Sequence, residues 1–70
     1  MKTFSHSKLK MLVDQSSMSP PDVVYKLKNI GYKVSLAQVY NWLGAKSTPS
    51  IAGLYAIARV LNCSLEDLFE

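Results

Sequence analysis

The chain has 70 residues, of which 49% are hydrophobic and 19% are charged. These values are typical of a folded globular domain and exclude a disordered chain, and the length allows only one small hydrophobic core. The first sixty residues hold all eight basic residues and two of the five acidic ones, a balance of +6, whereas the last ten hold the other three acids, a balance of −3. This distribution favours a polyanionic partner for the body of the domain.

Several kinds of site and segment are missing from the sequence. No apolar run approaches the roughly 18 residues that cross a bilayer, and Met1–His6 lacks the apolar segment of a signal peptide, so we expect a soluble, cytoplasmic protein without membrane contact. Cys63 has no second cysteine for a disulfide and no ligand partner for a metal, and we expect it to be a small buried hydrophobic residue. The only histidine, His6, lies in a segment that we expect to be frayed, and there is no carboxylate pair or glycine-rich phosphate loop. We therefore predict no enzymatic activity, no cofactor and no small-molecule ligand.

Capping residues and apolar spacing predict five helices joined by short loops. Serines stand near the predicted starts, and Ser19–Asp22, a serine followed by two prolines and an aspartate, is an especially clear start signal. Gly31 and Asn62 are suited to helix ends in a left-handed conformation, and no alternating strand pattern is present. We expect a single all-α domain over residues 1–70 with helices at roughly 7–16, 20–30, 35–43, 50–61 and 65–69.

Apolar residues at helical spacing mark the face of each helix that is expected to form the core. In chain order these residues are Leu9, Leu12 and Val13; Val23, Val24, Leu27 and Ile30; Val39, Trp42 and Leu43; Ile51, Leu54, Tyr55, Ile57, Ala58 and Leu61; and Leu65, Leu68 and Phe69.

Residues 34–50 form the clearest candidate site. Ser35 and Gln38 are spaced for a capping box, and Gly44 is expected to end the helix. The face opposite the apolar stripe carries small, uncharged side chains that can form hydrogen bonds. Two helices joined by a turn, the second with such a face, is the arrangement that places a helix N-terminus in the major groove of DNA.

The residue types on this face suit base recognition. Amides form paired hydrogen bonds with adenine edges, and small apolar side chains contact the thymine methyl group. The candidate base-contacting residues are Leu36, Ala37, Gln38 and Asn41. Candidates for phosphate contacts are Lys33, Lys46 and the hydroxyl of Tyr40. Two alternatives stay open: Gln38 could serve only the capping box, and Tyr40 could pack its ring on a neighbouring helix.

Three motifs together resemble one known family. They are Val34-Ser35-x-x-x-Val39-x-x-Trp42, Gly44-x-Lys46-x-x-Pro49-Ser50 and the ending Leu61-Asn62-Cys63-Ser64-Leu65-Glu66-Asp67-Leu68-Phe69. The chain resembles the Cro and phage-repressor helix-turn-helix family, which includes regulators of the xenobiotic-response-element type. The resemblance implies a compact five-helix, lambda-repressor-like DNA-binding domain with its third helix in the major groove. It also implies a phosphate contact at Ser35 and binding to DNA as a homodimer.

The sequence departs from the family pattern in three places. Pro20 stands where the family often has a glutamine at the start of helix 2, and Val24 stands where a small alanine is favoured. Residues 28–33 replace the usual short turn, so helix 2 is expected to be about one turn longer. The third helix also has no arginine, which makes the commonest specific contact to guanine.

These observations predict a sequence-specific double-stranded DNA-binding regulator of transcription, in particular a repressor. The alternative is an antitoxin or adaptor that uses the same fold to bind a protein. If the protein dimerises, we expect the contact at helix 5 and the end of helix 4, with Leu68 or Phe69 exposed in the monomer.

Overall fold

The computed structural model describes residues 2–70 and contains four α-helices followed by a short 3-10 helix. The α-helices are α1 (His6–Gln15), α2 (Pro20–Asn29), α3 (Leu36–Leu43) and α4 (Ile51–Leu61), and the 3-10 helix is Leu65–Leu68. The predicted all-helical class is confirmed, but the fifth helix is a single 3-10 turn because Phe69 adopts an extended conformation. Within residues 2–70, none of the helices combines the length and the apolar character needed to cross a bilayer.

The helix starts follow the local capping signals. The Ser5 hydroxyl accepts a hydrogen bond from the Lys8 amide at 3.2 Å, which begins α1. At the start of α2, one carboxylate oxygen of Asp22 accepts hydrogen bonds from the amide and the hydroxyl of Ser19, at 3.0 and 2.9 Å. The Ser50 hydroxyl caps α4 in the same way as Ser5 caps α1. These bonds satisfy amide groups that have no partner within the first turn of a helix.

The helix ends depend on residues in a left-handed backbone conformation. Gly31 and Asn62 adopt it, with φ values of 89° and 54°, as their residue types predict. Gly44 is the C-terminal cap of α3, as predicted, with a φ of −89°, and the left-handed residue is the next one, Ala45, with a φ of 61°. Ser17, at the end of α1, is also left-handed. Three helices therefore end at Ser17, Ala45 and Asn62, residues that carry a side-chain Cβ in a conformation that favours glycine.

The core is a single cluster to which all four α-helices and the 3-10 helix contribute. Its buried members are Leu9, Val13, Val23, Leu27, Val39, Trp42, Leu54, Ala56, Ile57, Ala58 and Leu68. Two residues that we predicted in the core lie outside it, since Ile51 and Tyr55 are 68% and 57% exposed. These two residues are one helical turn apart on the face of α4 opposite Ile57, and the apolar character of α4 on all sides concealed this orientation.

The two chain ends pair with each other. The backbones of Thr3 and Glu70 exchange two hydrogen bonds of 3.0 Å, and the Ser5 amide donates to Leu68 O at 2.8 Å. Phe4 and Phe69 form an antiparallel bridge and pack edge to face. The prediction of a frayed N-terminal segment was therefore wrong over residues 3–6, because the extended C-terminal residues supply its hydrogen-bond partners. Met1 lies outside the described residues.

The same pairing corrects the expected exposure of the C-terminal apolar residues. Leu68 is completely buried, and Phe69 is half-buried beside Phe4. Neither residue offers the exposed apolar side chain that we predicted for a dimer contact. The exposed apolar residues of this part of the molecule lie instead on α4, at Ile51 and Tyr55.

Candidate nucleic-acid interface

Helix α3 is fixed to the domain by its apolar stripe. Val39 and Trp42 are 2% and 5% exposed, and α3 packs against both α1 and α2. Half-buried Leu43 packs against the same core. The prediction that Trp42 is a core residue is confirmed. Because this stripe is covered, the opposite face of α3 is the one that a partner can reach.

The start of α3 is a capping box. The Gln38 amide donates to the Ser35 hydroxyl at 3.1 Å, and the Ser35 amide donates to Gln38 Oε1 at 2.9 Å. Both residues are exposed. The bond to Oε1 leaves the two hydrogens on Nε2 available as donors. Gln38 thus fulfils the predicted capping role and still presents an amide group at the helix start.

The four residues predicted to contact bases lie within the first six positions of α3. Leu36 is 42% exposed, Ala37 and Gln38 are exposed, and Asn41 is half-buried. Ala37 and Asn41 are one helical turn apart, so they are neighbours on the helix surface. Ala37 and Asn41 lie opposite the buried stripe of this short helix, and Leu36 and Gln38 lie on either side of them. Whether they contact bases stays a prediction.

Tyr40 lies beside this face rather than within a helix interface. Its side chain is 54% exposed. The ring borders a shallow depression together with Lys10, Pro20 and Gly44. Tyr40 thus lies beside α1 and the start of α2, with room for its hydroxyl to contact a phosphate. That contact is a prediction.

Lysines flank both ends of α3. Lys33 comes two residues before the capping serine, and Lys46 lies in the loop after the helix; both are exposed. The Lys46 amide donates to Asn41 O at 2.8 Å, and the Ser47 amide donates to the same oxygen at 3.3 Å. These bonds fold the loop back onto the end of α3. Lys46 is therefore held next to the end of the candidate recognition helix, whereas Lys33 is placed near its start by its position in the chain.

The connection between α2 and α3 is anchored to α4. Helix α2 ends at Asn29, and residues 30–35 then lead to α3. The Tyr32 hydroxyl lies 3.3 Å from the Ser50 hydroxyl. A Cβ atom at Gly53 would lie only 3.0 Å from the Tyr32 hydroxyl, so the absence of a side chain at Gly53 allows the ring to approach. We did not predict this anchor, although an isolated glycine within an apolar helix is a signal of close packing.

The start of α2 differs from a phosphate-binding helix terminus. Pro20 and Pro21 have no amide hydrogen, and the Asp22 carboxylate adds a negative charge. The hydrogen bonds from the Ser19 amide and hydroxyl hold the pKa of Asp22 below its usual value, with a smaller effect from Lys26 in the same direction. The family often has a polar side chain at the start of helix 2 that supports the DNA contact. Here Pro20 cannot make such a contact, and the Ser19 amide and hydroxyl are already bonded to Asp22.

His6 supports the other end of α3. Its Nδ1 atom lies 2.7 Å from the Trp42 carbonyl oxygen, and its Nε2 atom lies 3.4 Å from the Thr48 hydroxyl. Because a carbonyl only accepts, Nδ1 carries the proton and donates it to Trp42. No local sequence pattern predicts this contact, since 36 residues separate the two partners.

Cys63 is a packing residue. It is half-buried and packs against the core. Burial raises the pKa of the Cys63 thiol, and the negative charge of Asp67 raises it further. The thiol form, which is a weak nucleophile, is therefore favoured. Cys63 therefore packs against the core as predicted, but it is half-buried and not buried.

Comparison with known proteins identifies the family. A family model described as the Cro/C1-type HTH DNA-binding domain matches residues 8–70. Searches among curated proteins and among solved structures give no significant match. The family match includes α2, α3 and every candidate DNA-contacting residue, and it begins after the N-terminal segment that holds His6. The chain therefore belongs to the family of Cro/C1-type helix-turn-helix DNA-binding domains, and the double-stranded DNA binding of a regulator is its general function.

Proposed function

We propose that this protein is a sequence-specific transcriptional repressor that places α3 in the major groove of its operator. The observation that carries this proposal is the outward face of α3, which is anchored from behind by Trp42 and presents amide and small apolar side chains. Family membership supports the general DNA-binding function. The uncharged face supports recognition of bases rather than of phosphates alone.

Each residue of this face has a distinct proposed role. Asn41 and the Nε2 group of Gln38 form hydrogen bonds with base edges, adenine being the best match for an amide. Leu36 and Ala37 contact thymine methyl groups. This combination favours an operator half-site rich in A·T pairs.

The polar residues around α3 position the protein on the DNA backbone. The proposed phosphate contacts come from Ser35 at the helix start, from Lys33 and Lys46 on either side of the helix, and from the Tyr40 hydroxyl. Such contacts set orientation and affinity but do not read sequence. In the proposed repressor, the operator overlaps a promoter, so the bound protein excludes polymerase without any further contact.

We also propose that the protein binds its operator as a homodimer. Exposed Ile51 and Tyr55 lie on one face of α4, and the half-buried Leu65 borders a surface depression with Tyr55. The proposed dimer contact therefore includes this face of α4 and the end of the helix. It does not use Leu68 or Phe69, because these side chains are covered within the monomer. A twofold arrangement would place the two α3 helices about 34 Å apart, which is one turn of DNA.

Selection of bound sites from random duplex DNA tests the proposal. We expect a consensus with two symmetric half-sites, and anisotropy titrations on that site should show a salt slope of about −0.9 per phosphate contacted. A bound consensus without symmetry would contradict the dimer but not the recognition by α3. Absence of duplex binding at low salt would contradict DNA binding by this chain.

Two observations favour a second candidate function, an antitoxin or adaptor that binds a protein. Helix α3 lacks arginine, and the start of α2 is closed by Pro20, Pro21 and Asp22. The same titrations discriminate between the two functions. An adaptor would show no preference between the selected duplex and random DNA, whereas a repressor should bind its operator about 1,000-fold or more tightly than random DNA.

A further inference from the structure

We propose that His6 is a positioning residue for DNA binding, which holds the loop that carries Lys46 in place for its phosphate contact. This inference rests on the proposed function, because it assigns a partner to His6 within the same DNA interface. The loop is defined as residues 44–48, between the end of α3 and the proline before α4. His6 contacts the residues on either side of Lys46, namely Trp42 and Thr48.

The geometry of the imidazole suits this role. Its Nδ1–H group donates to Trp42 O at 2.7 Å, and in this tautomer Nε2 is free to accept from the Thr48 hydroxyl at 3.4 Å. The carbonyl of Trp42 is among the last carbonyls of α3, which lack a partner within the helix. The His6 side chain therefore gives the Trp42 carbonyl a hydrogen-bond donor and also contacts Thr48 at the far end of the loop.

The loop needs such support because its own conformation is unfavourable. Ala45 has a φ of 61°, a left-handed conformation that is unfavourable for a residue with a Cβ atom. The hydrogen bond from the Ala45 amide to Trp42 O is long, at 3.4 Å, whereas the Lys46 amide donates to Asn41 O at 2.8 Å. The His6 bond to Trp42 O is the shortest contact at this end of α3, and it stabilises the carbonyl on which the turn closes.

His6 is itself held by both ends of the chain. The Phe4 ring packs edge to face on the imidazole, with centroids 4.8 Å apart and planes at 85°. The neighbouring Ser5 donates its amide to Leu68 O at 2.8 Å and its hydroxyl to Glu70 Oε1 at 2.9 Å. The segment that carries His6 is therefore braced by the C-terminal residues. It precedes residue 8, where the family match begins.

The experiment compares His6→Ala, Lys46→Ala and the double variant on the selected operator and on random duplex DNA. If His6 acts through Lys46, His6→Ala should reduce the magnitude of the salt slope by about 0.9, the value for one phosphate contact. Between 50 and 200 mM salt this change corresponds to about a threefold smaller loss of affinity. The losses of the two single variants should not add in the double variant. The loss of affinity that each variant shows should be equal on the operator and on random DNA, because phosphate contacts carry no sequence information.

Matched controls separate positioning from a loss of fold. His6→Asn keeps a donor for Trp42 O and should recover most of the wild-type salt slope. Lys28→Ala removes a lysine of α2, and its effect should add to that of His6→Ala. A measurement without DNA adds a second readout: His6→Ala should speed amide hydrogen exchange at Lys46 by a larger factor than it speeds exchange of the core amides of α4. Because both factors come from the same variant, this comparison applies even if His6→Ala lowers the melting temperature.

The outcomes distinguish this inference from the proposed function. If the wild type binds its operator and Lys46→Ala reduces the salt slope while His6→Ala does not, the His6 inference alone is overturned. Additive losses in the double variant, or exchange at the Lys46 amide that speeds by no larger a factor than exchange of the α4 core amides, would overturn it as well. Absence of duplex binding by the wild type would overturn both.

Discussion

Gln38 has a capping role at the start of α3 and a proposed role in contacting a base. Its Oε1 atom accepts from the Ser35 amide at 2.9 Å, so the side chain is oriented before any partner arrives. A side chain that is already ordered loses less conformational entropy when it binds. The same hydrogen bond would limit how Gln38 contacts a base. Oε1 has one lone pair left, so the two Nε2 hydrogens would make most of the contact. Asn41, without a capping role, is the better candidate for a paired contact with adenine.

We expect Asn41→Ala to weaken binding to the selected operator by about 1 to 3 kcal/mol, as for loss of one paired base contact. Binding to random duplex DNA should change little. Anisotropy titrations on the two DNAs at one salt concentration measure the difference. Asn29→Ala, at the exposed end of α2, is the matched control and should leave both affinities unchanged. Equal losses on the two DNAs would show that Asn41 contacts the backbone or supports the fold.

At the scale of helices, starts and ends differ in how well the sequence predicts them. The starts at Ser19 and Ser35 were predictable because capping is local: a hydroxyl or carboxylate bonds to amides within three residues. For α1 the sequence offers both Ser5 and Ser7, and the structure has the cap at Ser5. The end at Gly31 was predictable for the same reason. The end of α3 at Gly44 was predictable as well, but the left-handed conformation of the next residue, Ala45, was not. The bonds of the loop to Asn41 O and Trp42 O, not the residue type, place that conformation at Ala45.

Ala45→Gly should therefore stabilise the protein. Removal of the Cβ atom relieves a left-handed conformation that disfavours alanine by about 1 to 2 kcal/mol, although glycine also gains entropy in the unfolded chain. A net increase in stability of about 0.5 to 1 kcal/mol is expected, measured as the free energy of unfolding in urea. The control is Ala52→Gly, at an exposed position in the first turn of α4, where the same change should destabilise by up to about 1 kcal/mol. A loss of stability in Ala45→Gly would show that the Cβ atom of Ala45 has a favourable contact.

The start of α2 should make stability depend on pH. The Ser19 hydrogen bonds lower the pKa of Asp22 in the folded state, so the ionised carboxylate stabilises the fold at pH values above its unfolded pKa. This contribution is lost as the pH falls through the folded pKa. Asp22→Asn should therefore lower the melting temperature at pH 7, and the difference from the wild type should shrink in acid. Ser19→Ala keeps the hydrogen bond from the backbone amide of residue 19 to Asp22, so its stability should retain part of the pH dependence. A difference that does not change with pH would contradict this role of Asp22.

At the scale of the whole molecule, the contacts between distant residues were the ones that the sequence did not predict. The family motifs lie within residues 34–69, and they were sufficient for the fold class and for the outward face of α3. The pairing of Thr3 with Glu70 and the contact of His6 with Trp42 join residues that are far apart in the chain, so no local pattern reveals them. The exposure of Ile51 and Tyr55 was missed for a related reason, since only the packing of α4 on its neighbours decides which of its apolar sides is covered.

The pairing of the chain ends should contribute to global stability. Phe4 is half-buried between the imidazole of His6 and the ring of Phe69, and its centroid distances to them are 4.8 and 6.2 Å. We expect Phe4→Ala to destabilise the fold by about 2 kcal/mol, less than for a fully buried phenylalanine. In a domain of this size that loss lowers the melting temperature by roughly 8 to 16 °C. Met11→Ala, which removes an exposed apolar side chain of α1, should shift it far less. If the two variants melted alike, the N-terminal segment would be frayed in solution, as its sequence suggests, and the support of α3 through His6 would be lost with it.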